Sequence, residues 1–213
     1  MRLRHIPNLI TLARLCLAVA CFWFLGDLVK ATDPAVIEDR ALWAFWLFLA
    51  ASLSDFLDGW LARKKNWVSA LGRIADPVAD KVLMLGTATY LTAAHNLAQP
   101  GDFLAVMPIW AVVLLLAREF LVTALRGVIE SKGMQFTADK FGKWKLIVQA
   151  FYLAIPTGVA GRAPEYLGLD FLMLTRTPVF FVVIFWLMIG LTVVSGLNYV
   201  IRGTRMLAGA NSS

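Results

Sequence analysis

At 213 residues the chain is the size of one domain, yet 60% of it is hydrophobic and only 16% charged, against roughly 25% charged residues in a soluble domain. With a mean hydropathy of +0.72, these values exclude an ordinary water-soluble fold and point to an all-α integral membrane protein of several spans. The formal charge of +6 and the pI of about 9.6 would suggest nucleic acid as a partner of a soluble protein. Here the basic residues cluster between apolar runs, so a lipid bilayer with a charged surface is the expected partner and nucleic acid is not.

Six segments approach the ~20 apolar residues that a spanning helix needs. They cover roughly 7–29, 41–62, 74–96, 103–126, 143–161 and 177–201. The first is too long and lacks a small-residue cleavage pattern, so it reads as a span rather than a removable signal. Cys16 and Cys21 both fall in it and are expected to be buried small hydrophobes. No linker, repeat or low-complexity tract interrupts the chain, and residues 1–213 are expected to form a single transmembrane domain. Sorting the twenty Lys and Arg residues by alternate loops places sixteen on the side of the N-terminus and four, Lys30, Arg40, Arg162 and Arg176, on the other. The positive-inside rule makes the richer side cytoplasmic, with both termini there.

The second and third segments carry acids at that same end. Asp55 and Asp58 are three residues apart, and Asp76 and Asp80 are four apart, so each pair shares one face of its helix. The intervening stretch is short and basic, which makes the two helices antiparallel neighbours. Four carboxylates so close would repel one another. Divalent cations remove that conflict, since Mg2+, Mn2+ and Ca2+ prefer carboxylate oxygens. Two pairs suit two metals, an arrangement that clamps both ends of a phosphoryl transfer. Gly59, Ala62 and Gly72 leave the helix backbones open beside the acids, and Arg63 offers a fork of donors suited to phosphate. Small residues also occur at plain membrane-helix contacts, and Arg63 with Lys64 and Lys65 also fits a topology signal. Pro77 disfavours helix at Asp76, so the third helix is expected to start there or to kink.

Asp55, Asp58, Gly59, Ala62, Arg63, Gly72, Asp76 and Asp80 together read D-x2-D-G-x2-A-R-x8-G-x3-D-x3-D, which resembles the signature of the CDP-alcohol phosphotransferases, complete and with the expected spacing. That resemblance implies a six-helix membrane enzyme, usually a homodimer, that transfers the phosphatidyl group of CDP-diacylglycerol to an alcohol and releases CMP. It implies two divalent ions, Mg2+ or Mn2+, held by Asp55, Asp58 and Asp76. Asp80 would be the general base for the acceptor hydroxyl and also lie near a metal, and Gly59, Ala62, Arg63 and Gly72 would shape the CDP site.

The acceptor is approached through three further stretches. Residues 5–15, 116–133 and 138–149 resemble the bacterial members of that family that use glycerol 3-phosphate, which implies a bacterial cytoplasmic membrane with the active site facing the cytoplasm. In the first stretch Pro7 fits a helix start, and Asn8 and Thr11, with Arg14, would face the nucleotide. Arg118 lies late in an apolar run, where a cation is costly without a partner, and its neighbour Glu119 is expected to point elsewhere. Arg118 and Arg126, eight apart, lie on nearly one stripe, and Lys140, Lys143 and Lys145 enter the fifth segment. Together they would form a cationic pocket for an acceptor's phosphate. The alternative is a set of anchors for anionic lipid heads, for which Lys132 and Lys145 are the strongest candidates. Inositol phosphate, serine and phosphatidylglycerol remain alternative acceptors, and the last third of the chain reads as generic apolar sequence. From another class, a divalent-cation transporter would also place carboxylates in a membrane, but here they gather at one end, and no acid lies deep in the other spans.

Overall fold

The computed structural model describes residues 6–65, 70–97, 107–134, 140–166 and 178–210, with side chains except at 6–10, 55–65, 70–77, 80, 95–97, 140–141, 164, 178 and 209–210. All secondary structure among these residues is helical: α1 (Ile6–Lys30), α2 (Pro34–Lys65), α3 (Ala70–Leu97), α4 (Ile109–Ser131), α5 (Lys140–Ala160), the single turn α6 (Ala163–Tyr166) and α7 (Pro178–Ala210). The six long helices coincide with the six apolar segments and mostly outrun them, because polar ends of a helix add no apolar signal.

Local chemistry sets several of the ends. Asp33 precedes Pro34, and its Oδ1 accepts from the Ala35 amide at 2.9 Å, capping α2 while proline supplies a preformed first turn. At the other end of α4 the Gly133 amide donates to the Glu130 carbonyl (3.0 Å) and the Met134 amide to that of Ile129 (3.3 Å). Gly133 adopts φ +75° there, the left-handed closure that glycine accepts without strain. Pro77 does not open α3, which begins at Ala70. The helix runs through the proline and gives up one backbone hydrogen bond.

Contacts between helices fix their directions. Asp27 meets Arg40, Cys21 meets Ala44 and Arg14 meets Ser54, so α1 and α2 are antiparallel. Position 158 of α5 and position 161 just after it abut Phe45 and Leu42 of α2, again antiparallel. Tyr152 packs on Phe185 and position 142 on Tyr199, setting α5 against α7. Trp110 with Phe185, Arg118 with Ser195 and Leu125 with position 203 make α4 parallel to α7. Phe22 and position 26 of α1 lie along positions 86 and 90 of α3 in the same sense. Each long helix therefore runs opposite to the one before it. The start of α1 and the end of α7 share one end of the bundle, together with the end of α2 and the start of α3 that bear the four aspartates.

The core is built from small and medium apolar side chains. Ala18, Ala41, Ala44, Ala51, Ala88 and Ala111 are buried with Leu25, Phe48, Leu83, Leu115, Leu153 and Met188, and the alanines let the helix backbones approach closely. Buried Thr92, Thr157, Thr192 and Ser195 return their hydroxyls to carbonyls of their own helices at 2.7–3.2 Å, which satisfies them without a partner helix. The outer surface is also apolar: Val179, Val182, Val183, Trp186, Val194 and Leu197 of α7 are exposed, the reverse of a soluble protein's pattern. Cys21 is buried but Cys16 is exposed on the outer face of α1, contrary to the expectation for both, because five residues carry them to different sides of the helix. Thr11–Lys30 and Val179–Ala208 are long and apolar enough to cross a membrane. The other long helices carry more charge, including Asp55 and Asp58 on α2 and Arg118 and Glu119 on α4.

Backbone approaches backbone most closely where α5 ends. A Cβ at Gly161 would stand 2.6 Å from the Leu42 Cα and 2.9 Å from its Cβ, and a backbone atom cannot swing aside. Gly161→Ala is expected to cost about 1–3 kcal/mol by overpacking, read as a lower melting temperature in detergent. Gly190→Ala, where a Cβ meets nothing within 4 Å, is the neutral control.

Candidate active site

The eight signature residues all fall on helix. Asp55, Asp58, Gly59, Ala62 and Arg63 belong to α2, and Gly72, Asp76 and Asp80 to α3. Their side chains lie outside the described residues, as do those of Asn8 and Lys140. The backbone alone sets Asp55 and Asp58 one turn apart near the end of α2, and Asp76 and Asp80 one turn apart near the start of α3. Among the described residues no group of three or more His, Cys, Asp or Glu side chains gathers as a metal site.

Described neighbours tie these segments to the rest of the bundle. Arg14 of α1 is 1% exposed. Its Nε donates to Ser54 Oγ at 3.5 Å, and Ser54, which returns its own hydrogen to the Ala51 carbonyl (2.7 Å), immediately precedes Asp55. Thr11, one turn before Arg14, is also buried, so the polar stripe of α1 faces inward. On the other side Lys81, the residue after Asp80, donates from Nζ to Thr123 Oγ1 of α4. Thr123 Oγ1 in turn donates to the Glu119 carbonyl at 2.7 Å. The acid-bearing α3 is thus fastened one helical turn from Glu119.

Glu119 is the centre of a buried charged cluster. Arg118 Nη1 donates to its Oε1 at 2.8 Å, and Lys145 Nζ of α5 reaches the same oxygen at 2.5 Å. The side chains are 11%, 17% and 4% exposed for Arg118, Glu119 and Lys145. Arg118 Nη2 donates to Ser195 Oγ at 3.1 Å, and the guanidinium carbon lies 5.5 Å from the Tyr199 ring centre, within cation–π range. Glycines make room for this arrangement. A Cβ at Gly196 would sit 3.2 Å from Arg118 Cγ, and one at Gly142 would sit 3.6 Å from Tyr199 and 3.8 Å from Arg118 Nη2.

Sequence reasoning placed Arg118 here as a cation short of a partner. The structure supplies that partner in the adjacent Glu119, because both side chains are long enough to turn inward from neighbouring positions and meet. Lys145, an alternative lipid anchor by sequence, is the most buried member of the cluster. Arg126, Lys143 and Lys132 are exposed, two or more turns beyond Arg118 on α4 or on the outer side of α5. Ser195 and Tyr199 were missed altogether. The one signal was two hydroxyl-bearing residues four apart, one turn of α7, in a mostly apolar helix.

The cluster makes its own prediction. Glu119→Leu removes the carboxylate that two cations share and is expected to cost about 3–5 kcal/mol of stability, seen as a large fall in melting temperature. Lys145→Met leaves Glu119 paired with Arg118, and its fall is expected to be clearly smaller.

The sequence that folds in this way is similar to known proteins. The CDP-alcohol phosphatidyltransferase family model matches residues 4–194. The chain is 30% identical over 213 residues to the CDP-diacylglycerol--glycerol-3-phosphate 3-phosphatidyltransferase of Bacillus subtilis, covering 97% of this chain and 99% of that one. It is 31% identical over 210 residues to a probable phosphatidylglycerophosphate synthase of Mycobacterium tuberculosis, covering 98% of this chain and 86% of that one. A CMP-forming cardiolipin synthase of Streptomyces coelicolor is 31% identical over 132 residues, 62% of this chain and 54% of the other. With its signature complete on two neighbouring helices and the family matched over most of its length, the chain belongs to the CDP-alcohol phosphatidyltransferase family.

Proposed function

We propose that this chain transfers the phosphatidyl group of CDP-diacylglycerol to glycerol 3-phosphate, giving phosphatidylglycerol phosphate and CMP. The observation that carries this reading is end-to-end similarity to relatives bearing that activity in their names, over 97% of this chain for the first of them. The cardiolipin synthase match spans only part of each chain, so phosphatidylglycerol is the second-ranked acceptor. The six long helices cross a bacterial cytoplasmic membrane, with both termini and the aspartates at the cytoplasmic face. Supporting this are the alternating helix directions, the apolar outer surface and the sixteen basic residues on one side. The chain acts as a single domain, most simply as a homodimer.

Asp55, Asp58, Asp76 and Asp80 suit two divalent ions, Mg2+ or Mn2+. All four are carboxylates, each pair shares a helix face, and α2 and α3 adjoin at that end. Bound there, the ions would neutralise the diphosphate and the departing CMP. The chain's own residues do the rest. Asn8, Thr11, Gly59, Ala62, Arg63 and Gly72 form the CDP site, with Arg63 gripping the diphosphate and the small residues leaving room for the nucleotide. Asp80 accepts the proton of the glycerol hydroxyl as its oxygen bonds to the phosphatidyl phosphorus and the bond to CMP breaks. Arg118 and Lys145 meet the acceptor's phosphate dianion, while Arg126 and Lys143, exposed farther out, and Lys140 add positive charge to its approach. A phosphate monoester needs such a cationic pocket, whereas serine does not. Lys81 and Thr123 tie α3 to α4, which supports an acceptor pocket near the acids.

A detergent extract given CDP-diacylglycerol, Mg2+ and labelled glycerol 3-phosphate is expected to release CMP. Faster release with inositol phosphate, serine or phosphatidylglycerol would replace the acceptor, and metal flux without CMP would replace the enzyme by a transporter. Asp55→Asn and Asp58→Asn are each expected to lose activity by orders of magnitude, and chelation to abolish it until Mg2+ or Mn2+ is restored. Asp80→Asn is expected to keep donor affinity and lose turnover, the mark of a group acting in the transition state. Arg118→Gln is expected to raise the KM for glycerol 3-phosphate roughly 10- to 100-fold, the worth of a charge-assisted contact, and to leave that for CDP-diacylglycerol nearly unchanged.

A further inference from the structure

The donors that would meet an acceptor's phosphate are already engaged by a carboxylate. Arg118 Nη1 and Lys145 Nζ converge on one oxygen of Glu119, at 2.8 and 2.5 Å. The two cations come from different helices, α4 and α5, and they stand no farther apart than those two bonds laid end to end. Like charges that close repel strongly in a bundle interior, so an anion between them is what allows them to coexist. A carboxylate oxygen shared by two cations stands where an oxygen of a phosphate monoester could. Arg118 also keeps a buried Nε that finds no hydrogen-bond partner among the described residues, a donor left over for a ligand with more oxygens than a carboxylate. Both Arg118 and Glu119 retain some exposure, and Gly142 leaves the guanidinium, and Gly196 the stem of Arg118, free of a neighbouring Cβ.

We propose that Glu119 is an affinity-setting residue of the acceptor pocket: its carboxylate and the acceptor's phosphate compete for the same donors of Arg118 and Lys145. The proposal rests on the acceptor reading above for the identity of the phosphate compound, and on the cluster's geometry for everything else. Glu119 holds two buried cations together and keeps them neutralised. In return it repels any anion that approaches them. A ligand enters by trading places with the carboxylate, so only an anion with enough charge and oxygens to replace it binds well. A residue that served packing alone would lose stability and ligand affinity together when altered. A competing carboxylate would lose stability and gain affinity.

The test uses the full chain in detergent, with inorganic phosphate as the probe for binding and CMP release for activity. Glu119→Gln keeps the shape and removes the charge. Its melting temperature without ligand is expected to fall below that of the unaltered protein. Phosphate is expected to raise that temperature at a roughly tenfold lower concentration than in the unaltered protein, because a like charge beside the anion has gone. The KM for glycerol 3-phosphate is expected to fall in the same direction while that for CDP-diacylglycerol stays within about twofold. Arg118→Gln is expected to abolish the phosphate response in either background. A phosphate concentration that is unchanged or higher in Glu119→Gln overturns the proposal, and so does a response that survives Arg118→Gln. Should Glu119→Gln not accumulate, Glu119→Asp keeps the charge on an arm too short to bond both cations. It is expected to shift the phosphate concentration the same way, by roughly threefold, and no shift overturns the proposal. The two readings fail separately. If the unaltered protein releases no CMP with glycerol 3-phosphate, the acceptor assignment falls while the phosphate responses still judge Glu119. If CMP is released and the phosphate responses do not differ, only the role of Glu119 falls.

Discussion

A charge inside an apolar bundle has to find a partner there, and one carboxylate meets that requirement for two cations at once. Arg118 and Lys145 both bond to Glu119 Oε1. Arg118 is further held by Ser195 and lies over Tyr199. Through these contacts one cluster joins α4, α5 and α7, and of these α4 and α5 pack against the acid-bearing pair. The apolar core around it has no comparable specificity. Alanines and leucines could slide past one another at little cost, whereas a shared hydrogen-bonded oxygen fixes register.

The same economy appears on the other side of the bundle. Arg14, buried in α1, is joined to Ser54 directly before Asp55, and Lys81 directly after Asp80 is joined to Thr123. Each aspartate-bearing helix is therefore anchored by a polar contact next to its acids. At the opposite end, Arg40 with Asp27 and Arg162 with Glu38 form longer, more exposed ion pairs. Contacts of that kind are worth little individually, and they close the bundle away from the chemistry. Charge is thus divided by end: the tight pairing of Arg118, Glu119 and Lys145 lies toward the end that bears the aspartates, and the looser pairs lie at the other.

Alternating helix direction turns this division into a site. Because each long helix reverses the one before, the end of α2 and the start of α3 meet at the same level as the inner part of α4, the start of α5 and the later half of α7. Residues far apart in the chain, such as Arg118 and Ser195, come within 3.1 Å. In the proposed function that end takes a nucleotide diphosphate on the α2–α3 side and an acceptor on the α4–α5 side.

The sequence by itself determined the helices and the signature. Apolar runs near the length of a span give six long helices whether or not their neighbours are known, since hydrogen bonding within a helix is local. The spacings 55–58 and 76–80 place each acid pair on one face for the same reason. Only the tertiary structure decided which charges pair. Glu119 was expected to point away from Arg118 because adjacent positions diverge on a helix, yet its carboxylate reaches both Arg118 and Lys145, which lies on another helix. Lys145 and Lys143 are two residues apart and alike in sequence, but one is buried and the other exposed, and no local pattern separates them. Ser195 and Tyr199 looked like part of an ordinary apolar helix until α7 was set beside α4. Periodicity reports the face of one helix; the partner of a buried charge is set by which faces meet, and that is settled only when the bundle closes.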